Sequence, residues 1–588
     1  MARSKQELSR LVRGAMGEVK ADLIVSGGKL INVYSSEILN GFELAVLDGR
    51  ICYVGPSAKH TRGENTEILD ASGYYVSPGF IDGHTHIGHY ARPFENLQSF
   101  LPHGTTSVIA SADELCTVFG LRGLKIFLDE VARHPLRVFT LVSMVAPQDP
   151  ELCSTAAFSR EEIAEALDDP RVYGLGEIVS WLRLLQADDE LIEKIELAHR
   201  RGKIVQGHTA GARDQKLCAV AALGISSCHE PIRFEEAIER LRLGYWTMLR
   251  EGSLRQDLEE TLPPLIGSGA SLQRLILVTD SMTQDDIAER GHMDNVVRRA
   301  IELGLTPLQA LQSVTLNPAL CSGLEQEVGG LAPGRHADFA LIEDLDRCHV
   351  RQVWIDGKLV ARRGVSEIKS APIVLPQELM HSLRVGQAIT ADSFRIPAPV
   401  PNPRVRVMEL VNQTITAERV IECSAASGVV EANLYDDILK IAMFDRHGHC
   451  EKAAFGFLKG WGVKVGAVGL TTNLDENTLM VVGSDDGDMA HCANALLEAG
   501  GGMAIADGGK IVDRFDFPCG GIFSLYSWQE VGNGLRRMQS RLKERGSPFD
   551  KPLFALIFLP FVTLPALRIT ARGLVNAKER RIVPLFAD

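Results

Sequence analysis

At 588 residues, 45% of them hydrophobic and 23% charged, the chain is several times larger than one hydrophobic core and has the composition of a soluble protein, so roughly two to four domains are expected, one of them large. Its net charge of -13 argues against a general polyanion binder and so against nucleic acid as a partner. The 11 cysteines are scattered without a Cys-x-x-Cys pair, which fits reduced thiols in a cytoplasmic protein better than a disulfide framework or a zinc ribbon.

The chain begins Met1-Ala2-Arg3-Ser4-Lys5, charged and without the apolar core of a signal peptide, and continues into a predicted amphipathic helix over residues 5–16. Short strands follow at 22–25, 29–34, 42–47 and 50–54, with Gly27-Gly28 and Asp48-Gly49 as turns between them. Residues 71–76 read as a strand running into a turn at Pro78-Gly79, after which Phe80-Ile81 opens another. In that second strand alternate side chains share a face, so His84 and His86 point the same way and Thr85 points opposite.

From residue 77 to 324 short apolar runs alternate with helical stretches. The runs are 104–110, 137–145, 172–178, 203–208, 224–229 and 274–280, and helices are expected at 160–167, 189–199, 214–223, 234–243 and 294–303. This is the pattern of an α/β fold built on a TIM-like (β/α)8 barrel, for which about 250 residues is typical. The early strand pattern returns at 337–342 and 350–359, where Asp356-Gly357 is again a hairpin signal. The two ends are therefore expected to meet in a flanking β-sandwich made of residues 1–76 and 325–366, with the barrel inserted between them.

A linker is expected over 367–403, ending in the stiff, donor-poor run Ile396-Pro397-Ala398-Pro399-Val400-Pro401-Asn402-Pro403. Residues 404–588 then read as a C-terminal α+β domain, with strands at 404–411 and 479–482 and a helix at 488–498, placed so that it could lay a loop over the barrel mouth. The apolar stretch 554–567 is too short to span a membrane and carries prolines, so no membrane partner is expected.

A barrel of this kind places its chemistry at the C-terminal ends of its strands. There the sequence offers His84 and His86, Glu177 after Gly174-Leu175-Gly176, His208 after Ile204-Val205-Gln206-Gly207, His229-Glu230 after Cys228, and Asp280 after Val278-Thr279. A lone His-x-His also occurs as ordinary loop histidines, and a lone strand-end aspartate is usually a helix cap. Suitable groups at all of these ends together point to a metal site. His84, His86, Glu177, His208, His229 and Asp280 can hold two divalent metal ions, with Glu177 long enough to bridge them. Manganese, iron and zinc all accept such imidazole and carboxylate ligands. The chemistry that follows is hydrolysis: Asp280 is placed to take the proton of an attacking water and pass it to the leaving group, with Glu230 and Glu177 the other carboxylates in reach.

Other features take plainer readings. His89 reads equally as an extra metal contact or proton relay and as a loop histidine facing solvent. Arg250-Glu251-Gly252-Ser253 reads equally as a substrate contact and as a helix end or turn. Asp485-Asp486-Gly487-Asp488 lacks the spacing of a calcium loop and reads as a turn or helix start.

Pro78-Gly79-Phe80-Ile81-Asp82-Gly83-His84-Thr85-His86-Ile87 resembles the opening barrel motif of the amidohydrolase superfamily, and later segments resemble the adenine deaminase family within it. These are Leu101-Pro102-His103-Gly104-Thr105-Thr106, Gly174-Leu175-Gly176-Glu177, Cys228-His229-Glu230, Arg250-Glu251-Gly252-Ser253, Gly291-His292-Met293-Asp294, Leu316-Asn317-Pro318-Ala319 and Leu331-Ala332-Pro333-Gly334-Arg335-His336-Ala337-Asp338. The resemblance implies hydrolysis of the exocyclic amine of adenine to hypoxanthine and ammonia. It implies that His84, His86 and Asp280 hold one metal, that His208 and His229 hold the other, and that Glu177 bridges where relatives use a carboxylated lysine.

The chain departs from the family's pattern at Gly88-His89-Tyr90-Ala91, at Ser111-Ala112-Asp113-Glu114, at Ser281 and at Asn473-Leu474-Asp475-Glu476-Asn477-Thr478. None of these positions is among the six ligands, and they fall where a substrate or an extra ion would be contacted. The expected partner is a small-molecule purine or related heterocycle, and assembly as a homo-oligomer is expected. A related aminated heterocycle or a cyclic amide stays open as the substrate beside adenine, and a non-catalytic barrel would have no need of the full ligand set.

Overall fold

A computed structural model describes residues 3–369, 375–386 and 388–587 of the chain. At its centre eight strands form one parallel sheet: β1 (Phe80–His86), β2 (Thr105–Ser111), β3 (Arg137–Val142), β4 (Val172–Ile178), β5 (Ile204–Gly207), β6 (Ser227–Cys228), β7 (Trp246–Arg250) and β8 (Leu275–Val278). The sheet curls into a barrel that closes just beyond β8, where Thr85 and Asp280 form a parallel bridge. β3 and β8 are mostly apolar and β-branched, as strands covered on both sides tend to be, and β2 and β8 are buried along their whole length.

One strand of this set, β7, goes beyond the runs expected from the sequence. Trp246-Thr247-Met248-Leu249-Arg250 is short and ends in an arginine, so its composition does not announce a strand; pairing with β6 and β8 makes it one. Conversely, the expected run 224–229 narrows to the two residues of β6. Helices cover the outside, and several carry the caps their sequences encode. Ser159 and Glu162 form a capping box before the helix Arg160–Asp168, which buries Ile163, Ala166 and Leu167.

Strands from both flanks of the barrel segment share a sheet, as expected. Lys29–Asn32 and Tyr75–Pro78 run in parallel, and Tyr75–Pro78 pairs antiparallel with Phe339–Ile342. A second sheet of Leu23–Ser26, Glu43–Leu47, Arg50–Gly55 and Glu67–Asp70 packs on it, with Leu23, Val25, Leu44, Ile51, Phe339 and Trp354 between the layers. The strand expected at 71–76 starts later, at Tyr75, because residues 71–74 form a turn in which Tyr74 N–H donates to the Ala71 carbonyl at 2.9 Å.

Of the segment 367–403, residues 370–374 and 387 lie outside the described residues; in the rest, Leu379, Phe394 and Ile396 are buried. The C-terminal part is α+β. Its largest sheet runs from Thr416–Glu422 at one edge to Lys510–Asp516 at the other, with the helix Asp486–Ala499, capped by Asp485, against one face and Trp528–Glu544 on the other side. This part touches the barrel mouth directly: Phe523–Ser524 pairs with Tyr90–Ala91, just past β1. All eleven cysteines are free, and among the described residues no helix is long and apolar enough to cross a membrane.

Candidate metal centre

The strand ends bring all six predicted ligands into one buried cluster. His84 and His86, two residues apart at the end of β1, both turn toward Asp280 at the end of β8: each Nε2 lies 3.5 Å from Asp280 Oδ1. Glu177 from β4 stands between the two halves. Its Oε1 is 3.4 Å from His86 Nε2, while its Oε2 is 2.5 Å from His208 Nδ1 and 3.1 Å from His229 Nε2. One carboxylate oxygen thus faces each side, which is the geometry a bridging ligand needs. The ring of His229 stacks on that of His84 with centroids 3.8 Å apart, packing the two halves together.

Two features of the donor set fit a cation. His84 Nδ1 is 2.8 Å from Gln206 Oε1, and Gln206 Nε2 donates to the Gly83 carbonyl at 3.0 Å. A carbonyl only accepts, so the Gln206 amide is oriented with its oxygen toward His84, and Nδ1 must carry the proton. The lone pair is then on Nε2, which is buried inside the cluster without a hydrogen-bond partner. In addition, His208 Nδ1 and His229 Nε2 lie 3.1 Å apart, two imidazole nitrogens converging on one point. Groups able to hold a metal ion are formed by His84, His86 and Asp280, by His208, His229 and Glu230, by His84, Glu177 and His229, and by His86, Asp113 and Glu177.

The electrostatics keep the carboxylates charged. Burial opposes charge on Glu177, but His208 and His229 beside it outweigh burial and hold it well below the usual carboxylate range. Burial likewise opposes charge on Asp280, and the imidazoles of His84 and His86 against it, with His229 and Arg250 nearby, bring its carboxyl far down. Against the same burial, Glu230 and Glu177 raise His208 to about 9, whereas burial and the neighbouring His84 push His229 down to about 4.

Glu230, the remaining predicted catalytic carboxylate, pairs with the buried Arg250, which with His208 draws it to about 2 against the cost of burial. Arg250 Nη1 also lies 3.3 Å from Asp280 Oδ2, and Asp257 holds its Nε at 2.9 Å. The arginine of Arg250-Glu251-Gly252-Ser253 therefore belongs to the site. The glycine serves a close approach: a Cβ at Gly252 would lie 1.9 Å from the Thr279 carbonyl, in the strand-end loop that delivers Asp280.

The segments that depart from the family's pattern also line the pocket above the cluster. His89 pairs with Glu114 at 2.8 Å in the pocket wall instead of facing solvent, and a Cβ at Gly88 would collide with the Glu114 carboxylate at 2.1 Å. Asp113 reaches His86 Nδ1 at 3.1 Å. Asp475, from the C-terminal part, enters the pocket in the left-handed conformation at φ 66°, and burial, with Asp113 and Glu177 nearby, pushes its carboxyl well up. The far wall is Phe558, Phe561, Leu564 and Pro565, from the apolar stretch that the sequence showed only to be too short for a membrane span. Gln206 and the residues of the far wall carried no signal of their own in the sequence; Arg250 and Asp113 stood in segments already singled out.

Residues 75–360 match the amidohydrolase family, and residues 413–581 match the adenine deaminase C-terminal domain. Over nearly its whole length the chain is similar to proteins named adenine deaminase. That of Cenarchaeum symbiosum is 35% identical over 582 residues, covering 99% of this chain and 95% of the relative. That of Moorella thermoacetica is 36% identical, covering 98% of this chain and 97% of the relative. That of Clostridium botulinum (strain Loch Maree) is 35% identical, covering 98% and 96%.

Proposed function

The chain belongs to the adenine deaminase family of amidohydrolases, and from that membership we propose that it hydrolyses the exocyclic amine of adenine, giving hypoxanthine and ammonia. The observation that carries the reading is the cluster of four imidazoles with Glu177, Glu230 and Asp280, all but His84 lining one pocket whose far wall is the adenine deaminase C-terminal domain.

The proposed cofactor is a pair of divalent ions, manganese, iron or zinc. His84, His86 and Asp280 would hold one, His208 and His229 the other, and Glu177 both; when bound they supply a Lewis acid and an acidified water. The proton work falls to this chain's own carboxylates. Asp280, kept ionised, takes a proton from the water as its oxygen adds to C6 of the ring. It returns that proton to the amine, and ammonia leaves as the C6–N bond breaks; the second proton of the water passes from the C6 oxygen to ring N1, leaving a carbonyl at C6. Glu230, fixed by Arg250 and 3.5 Å from His229 Nε2, orients the ring edge. Phe558, Phe561, Leu254 and Ile232 line the pocket and keep bulk water from the base. Along the chain we infer that residues 77–324 carry the metal ligands and that 404–588 complete the pocket.

Metal analysis of protein purified without chelator, followed by ammonia release from adenine, other aminopurines and cyclic amides, tests the reading. Hypoxanthine formation by the metal-loaded protein supports it. Loaded protein that ignores adenine but turns over another aminated heterocycle or opens a cyclic amide moves the substrate elsewhere on the same site; loaded protein inert to all of them ends the enzyme reading.

A further inference from the structure

Beside Leu474, Asp475 and Asn477, two stretches of the C-terminal part that are far apart in sequence roof the pocket, the loop at Thr414-Ile415 and residues 558–565. One side chain joins them. Arg568, in the strand Leu567–Thr570, is completely buried. Its Nε donates to the Leu564 carbonyl at 2.9 Å and its Nη1 to the Phe558 carbonyl at 3.0 Å; its Nη2 donates to the Thr414 carbonyl at 2.7 Å and also to the Pro565 carbonyl. All four acceptors are neutral carbonyls, and all four belong to residues that line the pocket.

A buried guanidinium is costly, and an apolar side chain of similar size would generally serve stability as well or better. What an apolar side chain cannot do is fix four carbonyls of two separate segments at once, which the planar fork of arginine does. The loop it grips carries the aromatic face of the pocket: Phe561 lies between Phe558 and Leu564 in the chain, with its ring centroid 5.9 Å from that of His208 and 6.4 Å from that of Phe558. The height of the roof above the metal cluster is therefore the height at which Arg568 holds these carbonyls.

We propose that Arg568 is a positioning residue for substrate binding, which fixes the loop 558–565 over the cluster and so sets the gap into which the flat heterocycle slides. This rests on the deaminase reading of the site for the identity of the substrate, and on the hydrogen bonds alone for the hold on the roof. Arg568 touches none of the candidate metal ligands, so its loss acts on the binding of the base and leaves the metals and the proton transfers in place.

The test uses the full-length, metal-loaded protein and its Arg568→Met and Arg568→Lys variants. Three quantities are read: kcat and KM for adenine, metal content, and hydrogen–deuterium exchange of peptides covering 556–568. Arg568→Met is expected to raise KM by about 10-fold or more with kcat nearly unchanged, the signature of lost uniform binding. Exchange in 558–565 should quicken while barrel peptides and metal content stay as in the wild type. Arg568→Lys, which can reach some but not all of the carbonyls, should fall between. An unchanged KM in either folded variant overturns the proposal, as does a fall in metal content or in kcat alone. Should Arg568→Met fail to fold, the lysine variant and the wild-type exchange decide: amides of 558–565 exchanging as fast as exposed loops in the wild type overturn it. Failure of the wild type to deaminate adenine would count against the deaminase reading, and the exchange comparison would still test the hold of Arg568 on the roof.

Discussion

The backbones of His86 and Asp280 are hydrogen-bonded to each other. The His86 N–H donates to the Asp280 carbonyl at 2.8 Å, and the Asp280 N–H donates to the His84 carbonyl at 3.1 Å, so the contact that closes the barrel also sets two imidazoles beside the carboxylate. Asp280 takes the left-handed conformation here, at φ 61°, a strained geometry for a residue with a side chain. The pairing with β1 holds it there and turns Oδ1 toward both histidines.

Asp280→Asn tests the role of that carboxylate. Asparagine tolerates the left-handed conformation as well as aspartate does, so the fold is expected to survive. Turnover should fall by at least about 10²–10⁴-fold, the usual worth of general acid–base catalysis. Ammonia release and a thermal melt on the same sample check it; activity retained in a folded variant removes the proton-transfer role.

Gln206 is expected to matter through the metal. Gln206→Leu takes away the acceptor that keeps the proton on His84 Nδ1, whereas Gln206→Glu keeps it. Metal affinity, measured by competition with a chelator, should weaken about 10–100-fold in the leucine variant and much less in the glutamate variant. Equal affinities in the wild type and the leucine variant would show that the His84 tautomer is set elsewhere.

Arg250→Met leaves Glu230, Asp257 and Asp280 facing one another without their shared cation. Breaking a buried ion pair from one side costs about 3–5 kcal/mol, which denaturant unfolding should read directly. Adding Glu230→Gln removes one of the stranded charges and should recover part of the loss. A double variant no more stable than the single one would separate Glu230 from Arg250 energetically.

His134 gives the chain a sensitivity to acid that is independent of the candidate metal cluster. Its ring is buried, accepts the Leu136 N–H at 3.1 Å through Nδ1, and has been pushed by that burial down to about 3. Above its ordinary value of 6.5 the imidazole is neutral in both states. Below that value the unfolded chain takes a proton that the folded chain refuses, so stability is lost as pH falls from 6.5 toward 3, with a slope of up to about 1.4 kcal/mol per pH unit. His134→Asn keeps an acceptor for Leu136 and cannot titrate. Its unfolding free energy, compared with the wild type at a series of pH values from neutral to mildly acidic, should fall less steeply; parallel slopes would clear His134.

Much of the centre is legible in the chain itself, because strand period and turn chemistry are local. Alternation along Gly83-His84-Thr85-His86 puts two imidazoles on one side, and each later apolar run ends on a group that can hold a metal, so the barrel and the six candidate ligands are written in segments of a few residues each. The residues that tune the cluster are a different matter. Arg250 rides on β7, which is a strand only because β6 and β8 flank it; Gln206 acquires its meaning from the Gly83 carbonyl, 123 positions away; and Phe561 meets His208 because Arg568 holds a loop from another part of the molecule above it. Composition records whether a residue is to be buried, but which buried residue it meets across such distances is decided by packing, and only the folded chain determines it.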